Sequence, residues 1–107
     1  MTFYIKQNDT KPILSATLIN GDGSVASLSG ATVLFKMRKS GETSSTVDSS
    51  ATISDAANGQ VVYSWSASDT TTVGSYEGEF QVTYADSGIQ TFPNSRYIEI
   101  EIVDDIA

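Results

Sequence analysis

Glu77 and Glu79 stand two residues apart in the stretch SYEGEF (75–80), and Glu99 and Glu101 repeat the spacing in YIEIEI (97–102). Side chains two apart on a strand share a face. Four carboxylates in this pattern could hold a divalent cation, serve as a pair of catalytic acids, or form the wet side of a sheet. Glycosidases set two carboxyl groups about 5–10 Å apart, so spacing alone permits a catalytic pair. Such a pair also needs a cleft and a partly buried acid. The alternation instead sends Tyr76 and Phe80 to one side and the glutamates to the other, as on the flat outer face of a sheet. Lys36 and Arg38 occupy the polar face of ATVLFKMR (31–38). With that strand beside the Tyr76 strand and the last strand on its far side, the surface becomes a ladder. Lys36 and Arg38 come first, then Glu77 and Glu79, then Glu99 and Glu101. Opposite charges across strands contribute about 0.2–1 kcal/mol a pair, and opposed like charges cost about as much. The glutamates are therefore expected on a solvated face open to a basic partner. Their mutual repulsion is expected to discourage another strand from joining that edge.

No other motif supplies chemistry. The 107-residue chain has no cysteine and no histidine. That excludes disulfides, thiolate and imidazole metal sites, and Ser–His or Cys–His catalysis. NGDGS (20–24) begins like a calcium loop, but counting from Asn20 the sixth and twelfth places hold Val25 and Ala31 instead of Gly and Glu. It is better explained as a turn. Asp104 and Asp105 are read as a solvated end. No phosphate-binding glycine pattern and no nucleophile elbow occurs. No catalytic, cofactor or metal residues are expected. A formal net charge of −7 with only six Lys+Arg argues against nucleic acid and against an anionic membrane surface. No apolar run approaches the roughly 20 residues that span a bilayer. The opening MTFYIKQNDT lacks the form of a secretory signal, so synthesis in the cytoplasm is expected.

The elements that must position these residues are strands. Period-two alternation recurs in TFYIK (2–6), PILSATLI (12–19), ATVLFKMR (31–38), SATIS (50–54), QVVYSWS (60–66), SYEGEFQVTY (75–84), IQTF (89–92) and YIEIEIV (97–103). Between them lie turn signals: NGDG (20–23), the polar KSGETSST (39–46), DAANG (55–59) ending in Asn-Gly, and ADSG (85–88). About seven to eight short strands without a helix predict an all-β, immunoglobulin-like antiparallel β-sandwich, as one domain over residues 1–107. Tyr76, starting a strand two residues after Gly74, fits the corner tyrosine of such folds, whose hydroxyl bonds back to upstream backbone. Trp65 lies in phase with Val61 and Tyr63 and is expected to anchor the core. Phe92 and Pro93 are expected at the core's end, with an exposed Phe-Pro partner contact as the functional alternative. Loops 39–46 and 85–89 and the TFYIK edge are further candidate docking places.

The ordered segments FYIKQNDTKPILSATL, GDGSVASLSGATVLFKMR, ANGQVVYSW, DTTTVGSYEGEFQVTYADSG and TFPNSRYIEIEI resemble the immunoglobulin-like N-terminal domain of baseplate upper proteins in tailed bacteriophages. The resemblance spans nearly the whole chain. Its most specific parts are Tyr63-x-Trp65, Asp69-Thr70, Gly74-x-Tyr76, Glu79-Phe80 and Thr91-Phe92-Pro93. It implies a virion structural module without enzymatic residues that docks onto other phage structural proteins in symmetric assemblies. In those proteins the domain opens a longer chain, whereas here the sequence ends at Ala107, soon after the last expected strand. A tail accessory, a neck component, a capsid decoration or a head-fibre protein are therefore expected roles beside a baseplate one. The rival expectation is a carbohydrate- or host-surface-binding module, for which Tyr4, Tyr84 and Tyr97 are the candidate aromatics.

Overall fold

The computed structural model describes residues 2–94 and 96–106. Among the described residues nine strands form: β1 (Thr2–Lys6), β2 (Leu14–Thr17), β3 (Thr32–Lys39), β4 (Ser45–Ser50), β5 (Thr52–Asp55), β6 (Gln60–Tyr63), β7 (Gly74–Thr83), β8 (Ile89–Phe92) and β9 (Ile98–Val103). A single 3-10 turn, Ala67–Thr70, is the only helical element among the described residues. One sheet runs β1-β9-β7-β3-β4, with β8 also on β7, and the other runs β2-β6-β5. The expected all-β sandwich is the observed architecture. All pairs are antiparallel except β1 with β9, where the first and last strands run parallel.

The core is where alternation predicts it. Val33, Phe35 and Met37 of β3 and Tyr76, Gly78, Phe80 and Val82 of β7 face Val61 and Tyr63 of β6 and Leu14 of β2. Phe35 is fully buried at the centre, its ring 4.6 Å from Tyr63, 5.2 Å from Phe80 and 5.6 Å from Trp65, centroid to centroid. Tilted and edge-on contacts of this kind suit the aromatic quadrupole and add to the area the rings bury. Trp65 is buried beyond the end of β6 and is stacked by Phe3 of β1 at 5.9 Å. Tyr76 opens the inward row of β7, and its hydroxyl donates to the Thr72 carbonyl at 2.7 Å. That bond ties the connection entering β7 to the strand it feeds. Burial, and secondarily Glu42, raises the Tyr76 pKa above the ordinary phenol value.

One local feature differs from the sequence expectation and another follows it. The stretch assigned as loop through residue 46, with a strand at 50–54, is two strands in different sheets: β4 pairs with β3, and β5 pairs with β6. The chain changes sheets at Ala51, whose amide bonds the Val33 carbonyl at 2.9 Å. β4 escapes alternation because Val47 is its one buried side chain among serines, a threonine and an aspartate. The β5–β6 hairpin does use the Asn-Gly signal. Gly59 takes φ 66°, and a Cβ there would lie 2.8 Å from the Ala26 carbonyl oxygen and 2.9 Å from that of Leu18. The glycine is required both by its left-handed backbone and by this close approach.

Candidate interaction surface

β7 holds the centre of the outer face. Its N-terminal half pairs with β9 and its C-terminal half with β8, so β8 and β9 follow one another along the same edge. Register then fixes the charges. Lys36 stands opposite Glu79 and Arg38 opposite Glu77 across β3 and β7. Glu77 stands opposite Glu99, and Ser75 opposite Glu101, across β7 and β9. All four glutamates lie on the outer face, as do Lys36 and Arg38. The ladder is real, but only one glutamate pair is directly opposed.

Three of the four carboxylates, Glu77, Glu99 and Glu101, each have their own donor. Arg38 Nε donates to Glu77 Oε1 at 2.9 Å, the one ion pair among the described residues. Thr2 Oγ1 donates to Glu99 Oε2 at 3.1 Å. Ser75 Oγ lies 2.6 and 2.9 Å from the two oxygens of Glu101. These bonds draw Glu77 and Glu99 toward opposite neighbours and relieve their mutual repulsion. The hydrogen bond that Arg38 donates to Glu77, and secondarily the nearby Tyr97, raises the Arg38 pKa above its ordinary value. Its Nη2 also donates to the Tyr97 hydroxyl at 3.1 Å, and its guanidinium carbon lies 5.0 Å from the Tyr97 ring centroid.

The expected edge repulsion does not operate. β1 pairs along the whole outer edge of β9, Thr2 beside Glu99 and Tyr4 beside Glu101. Thr2 is why: a short hydroxyl beside Glu99 replaces a like charge with a donor. Nor is the face flat. The segment between β8 and β9 brings Arg96 and Tyr97 over it, and an open groove of about 500 Å³ results, walled by Thr2, Ser75, Glu77, Tyr97, Glu99 and Glu101. Glu77 and Tyr97 also wall a smaller hollow of about 160 Å³ with Lys36, Arg38 and Glu79. Tyr97, Thr2 and Ser75 gain their parts only from register, which no sequence pattern in this chain encodes.

The remaining candidates separate. Phe92 is 2% exposed and pairs with Phe80 inside the core, so it does not project toward a partner. An aromatic that fills the space between two sheets cannot also project from them. Pro93, next in the chain, is exposed and rims a small apolar hollow of about 200 Å³ floored by Phe80 and Phe92. The three tyrosines proposed for a glycan do not share a groove. Tyr97 lines the acidic one, Tyr4 lines a separate hollow with Lys6 and Lys11, and Tyr84 bonds Gln90 at 2.8 Å beside the β7–β8 turn. NGDGS forms a turn in which Asp22 Oδ1 accepts from the Ser24 amide at 3.0 Å and its hydroxyl at 2.6 Å. Those two bonds, side chain first, lower the Asp22 pKa. No group of three or more acidic side chains is arranged like metal ligands among the described residues. No helix of the described residues is long and apolar enough to cross a membrane.

The geometry is that of a β-sandwich presenting an ordered, charged and grooved sheet face, with an arginine-neutralised glutamate at its centre. A family model for the BppU N-terminal domain matches residues 2–107. This is the N-terminal domain family of phage baseplate upper proteins, and the chain belongs to it. A search of curated proteins returns no match. Membership makes the protein a phage baseplate-associated structural protein, with other phage structural proteins as its class of partner. It also makes the protein virion-associated.

Proposed function

We propose that residues 1–107 act as one immunoglobulin-like unit that joins the phage tail or baseplate by docking the outer face of the six-stranded sheet onto a neighbouring virion protein. The observation that carries this is the arrangement of Glu77, Glu99 and Glu101 around a groove whose acidic side chains are already held in place by Arg38, Thr2 and Ser75. Side chains fixed before binding lose little entropy on binding, so such a face is suited to specific contact. An excess of carboxylates over cations selects a basic partner surface, and complementary charge governs encounter rate and orientation. No cofactor, metal or catalytic step enters this reading. A solvated groove whose central carboxylate is neutralised by a guanidinium is poorly made for acid–base work. The family favours the tail over the capsid as the place of assembly.

The test is incorporation. Phage carrying the Glu99→Lys, Glu101→Lys double variant are purified, and the chain is quantified in the particles by mass spectrometry. The expected result is a fixed copy ratio to tail proteins for the wild type and loss from particles for the variant, while the isolated variant keeps its β-sheet circular dichroism. Incorporation of the variant at the wild-type ratio would remove the charged face from the docking role.

A further inference from the structure

Three strands of the six-stranded sheet, β1, β4 and the short β8, have one unpaired edge, and the two longer edges, β1 and β4, are built differently. At β4 the ladder to β3 shifts between Met37 and Arg38, and Asp48 stands on the strand. A register shift and an acidic side chain are common ways of blunting an edge. β1 has no register shift and no proline: its pairing with β9 runs unbroken through Thr2, Phe3, Tyr4, Ile5 and Lys6, and its one charge, Lys6, stands at the strand's end, where it repels a like edge but not one that offers a carboxylate. Strand residues turn their backbone groups alternately to either side. The Gln7 amide points at β9, donating to the Val103 carbonyl at 2.8 Å. Phe3 and Ile5 must therefore face β9 too, and the amides and carbonyls of Thr2, Tyr4 and Lys6 face outward. Among the described residues the Lys6 carbonyl, which accepts from the Asp9 amide at 3.1 Å, is the one outward backbone group of β1 that a turn of the chain engages.

We propose that the β1 edge pairs with the β1 edge of a second copy, antiparallel about a two-fold axis at Tyr4, to join two six-stranded sheets into one. The pattern is self-complementary in each respect. Tyr4 meets Tyr4, and Thr2 meets Lys6 in both directions, so every facing pair consists of residues whose backbone groups point outward, with the Lys6 carbonyl, already accepting from the Asp9 amide, using its second lone pair for the Thr2 amide of the second copy. On the outer face Thr2 lies beside Glu99. Lys6 of the second copy thus arrives next to a small threonine, with Glu99 one strand further, about 9.6 Å away at the usual strand spacing. The length of lysine and glutamate side chains closes that gap over the threonine. The contact forms twice by symmetry, as an isologous interface requires. Tyr4, 63% exposed in the single chain, becomes covered by its symmetry mate. A parallel arrangement would set Lys6 against Lys6 and lose the contact, and pairing through β4 would oppose Asp48 to a like edge. Charge and hydrogen-bond direction therefore select the same partner and the same orientation. This pairing needs no other virion protein, so it can fail while baseplate docking stands.

Sedimentation equilibrium of the purified chain across a concentration series tests it. The expected result is a reversible rise from the 11.4 kDa chain toward twice that mass. Tyr4→Pro removes an outward amide without touching the ladder to β9 and should leave the protein monomeric. Lys6→Glu should weaken dimerisation by about ten-fold or more, since two unlike contacts become like ones. Adding Glu99→Lys to Lys6→Glu should restore most of the loss. A wild-type chain that stays monomeric at the highest concentration reached overturns the proposal. So does a dimer unchanged by Lys6→Glu, which needs no assumption about how well the proline variant folds.

Discussion

Gly78 sits between Glu77 and Glu79 in the middle of β7, facing the core beneath the charged surface. An added Cβ would lie 2.8 Å from Ile100 Cδ1 and 3.1 and 3.2 Å from the Cε1 and Cζ of Phe35. Ile100 is 1% exposed and Phe35 is fully buried among Tyr63, Trp65 and Phe80, so neither has room to retreat. Overpacking of this sort costs about 1–3 kcal/mol. Replacing glycine by alanine also restricts the unfolded chain, which returns about 0.4–1 kcal/mol. The Gly78→Ala variant should therefore lose about 1–2 kcal/mol net. With a urea dependence typical of small domains, its unfolding midpoint should fall by about 1 M. Ile100→Val removes the atom at the shortest distance. Alone it should cost about 0.5–1.5 kcal/mol. In the Gly78→Ala background it should cost less or become favourable, giving a coupling of at least about 0.5 kcal/mol in a double-mutant cycle. Urea titrations followed by Trp65 fluorescence measure all four proteins. A Gly78→Ala variant as stable as the wild type, or additive losses in the cycle, would show that the close approach of β7 to β3 and β9 has been misjudged.

Three further outcomes follow from named contacts. Gly59→Ala should lose at least about 2 kcal/mol in the same titration, because a left-handed backbone is joined there by contact with two carbonyl oxygens. Tyr76→Phe should lose about 1 kcal/mol through its hydrogen bond to Thr72, with the fold kept. In an alkaline titration at the phenolate absorbance, Tyr63, Tyr76 and Tyr84 should ionise later than free tyrosine. Burial raises all three, helped by Asp69 at Tyr63 and by nearby acidic groups at the other two. Because the folded protein holds these phenols neutral above their unfolded pKa, the stabilisation is complete below about pH 10 and is lost as pH rises through the folded values. Three groups ionising at the ordinary value before any loss of circular dichroism would contradict the packing described.

Most of the fold is legible in alternation because most strands bury one face. Val33, Phe35 and Met37 or Ile98, Ile100 and Ile102 cannot be placed otherwise without exposing a full apolar row. β4 is not legible for the opposite reason: a short edge strand with only Val47 to bury leaves almost no periodic trace. Phe92 shows a different limit. Its type and its neighbour Pro93 fit equally a core filler and a surface contact, and only the pairing with Phe80 decides between them. At the candidate site, the face shared by Glu77, Glu79, Glu99 and Glu101 follows from spacing alone. The donors that hold it do not. Thr2 lies 97 residues from Glu99 in sequence, and Arg38 lies 59 from Tyr97. Their meeting depends on strand order and register, which polar residues on a wet face do little to specify.

We propose that this sandwich is built into the phage baseplate region through the outer face of its six-stranded sheet. A cryo-EM reconstruction of tails from purified particles tests it most directly. The expected result is density that fits the sandwich in the baseplate region, with Glu77, Glu99 and Glu101 buried against a basic surface of a neighbouring protein. Density for the chain on the capsid alone, or a tail-bound copy with that face open to solvent, would contradict it.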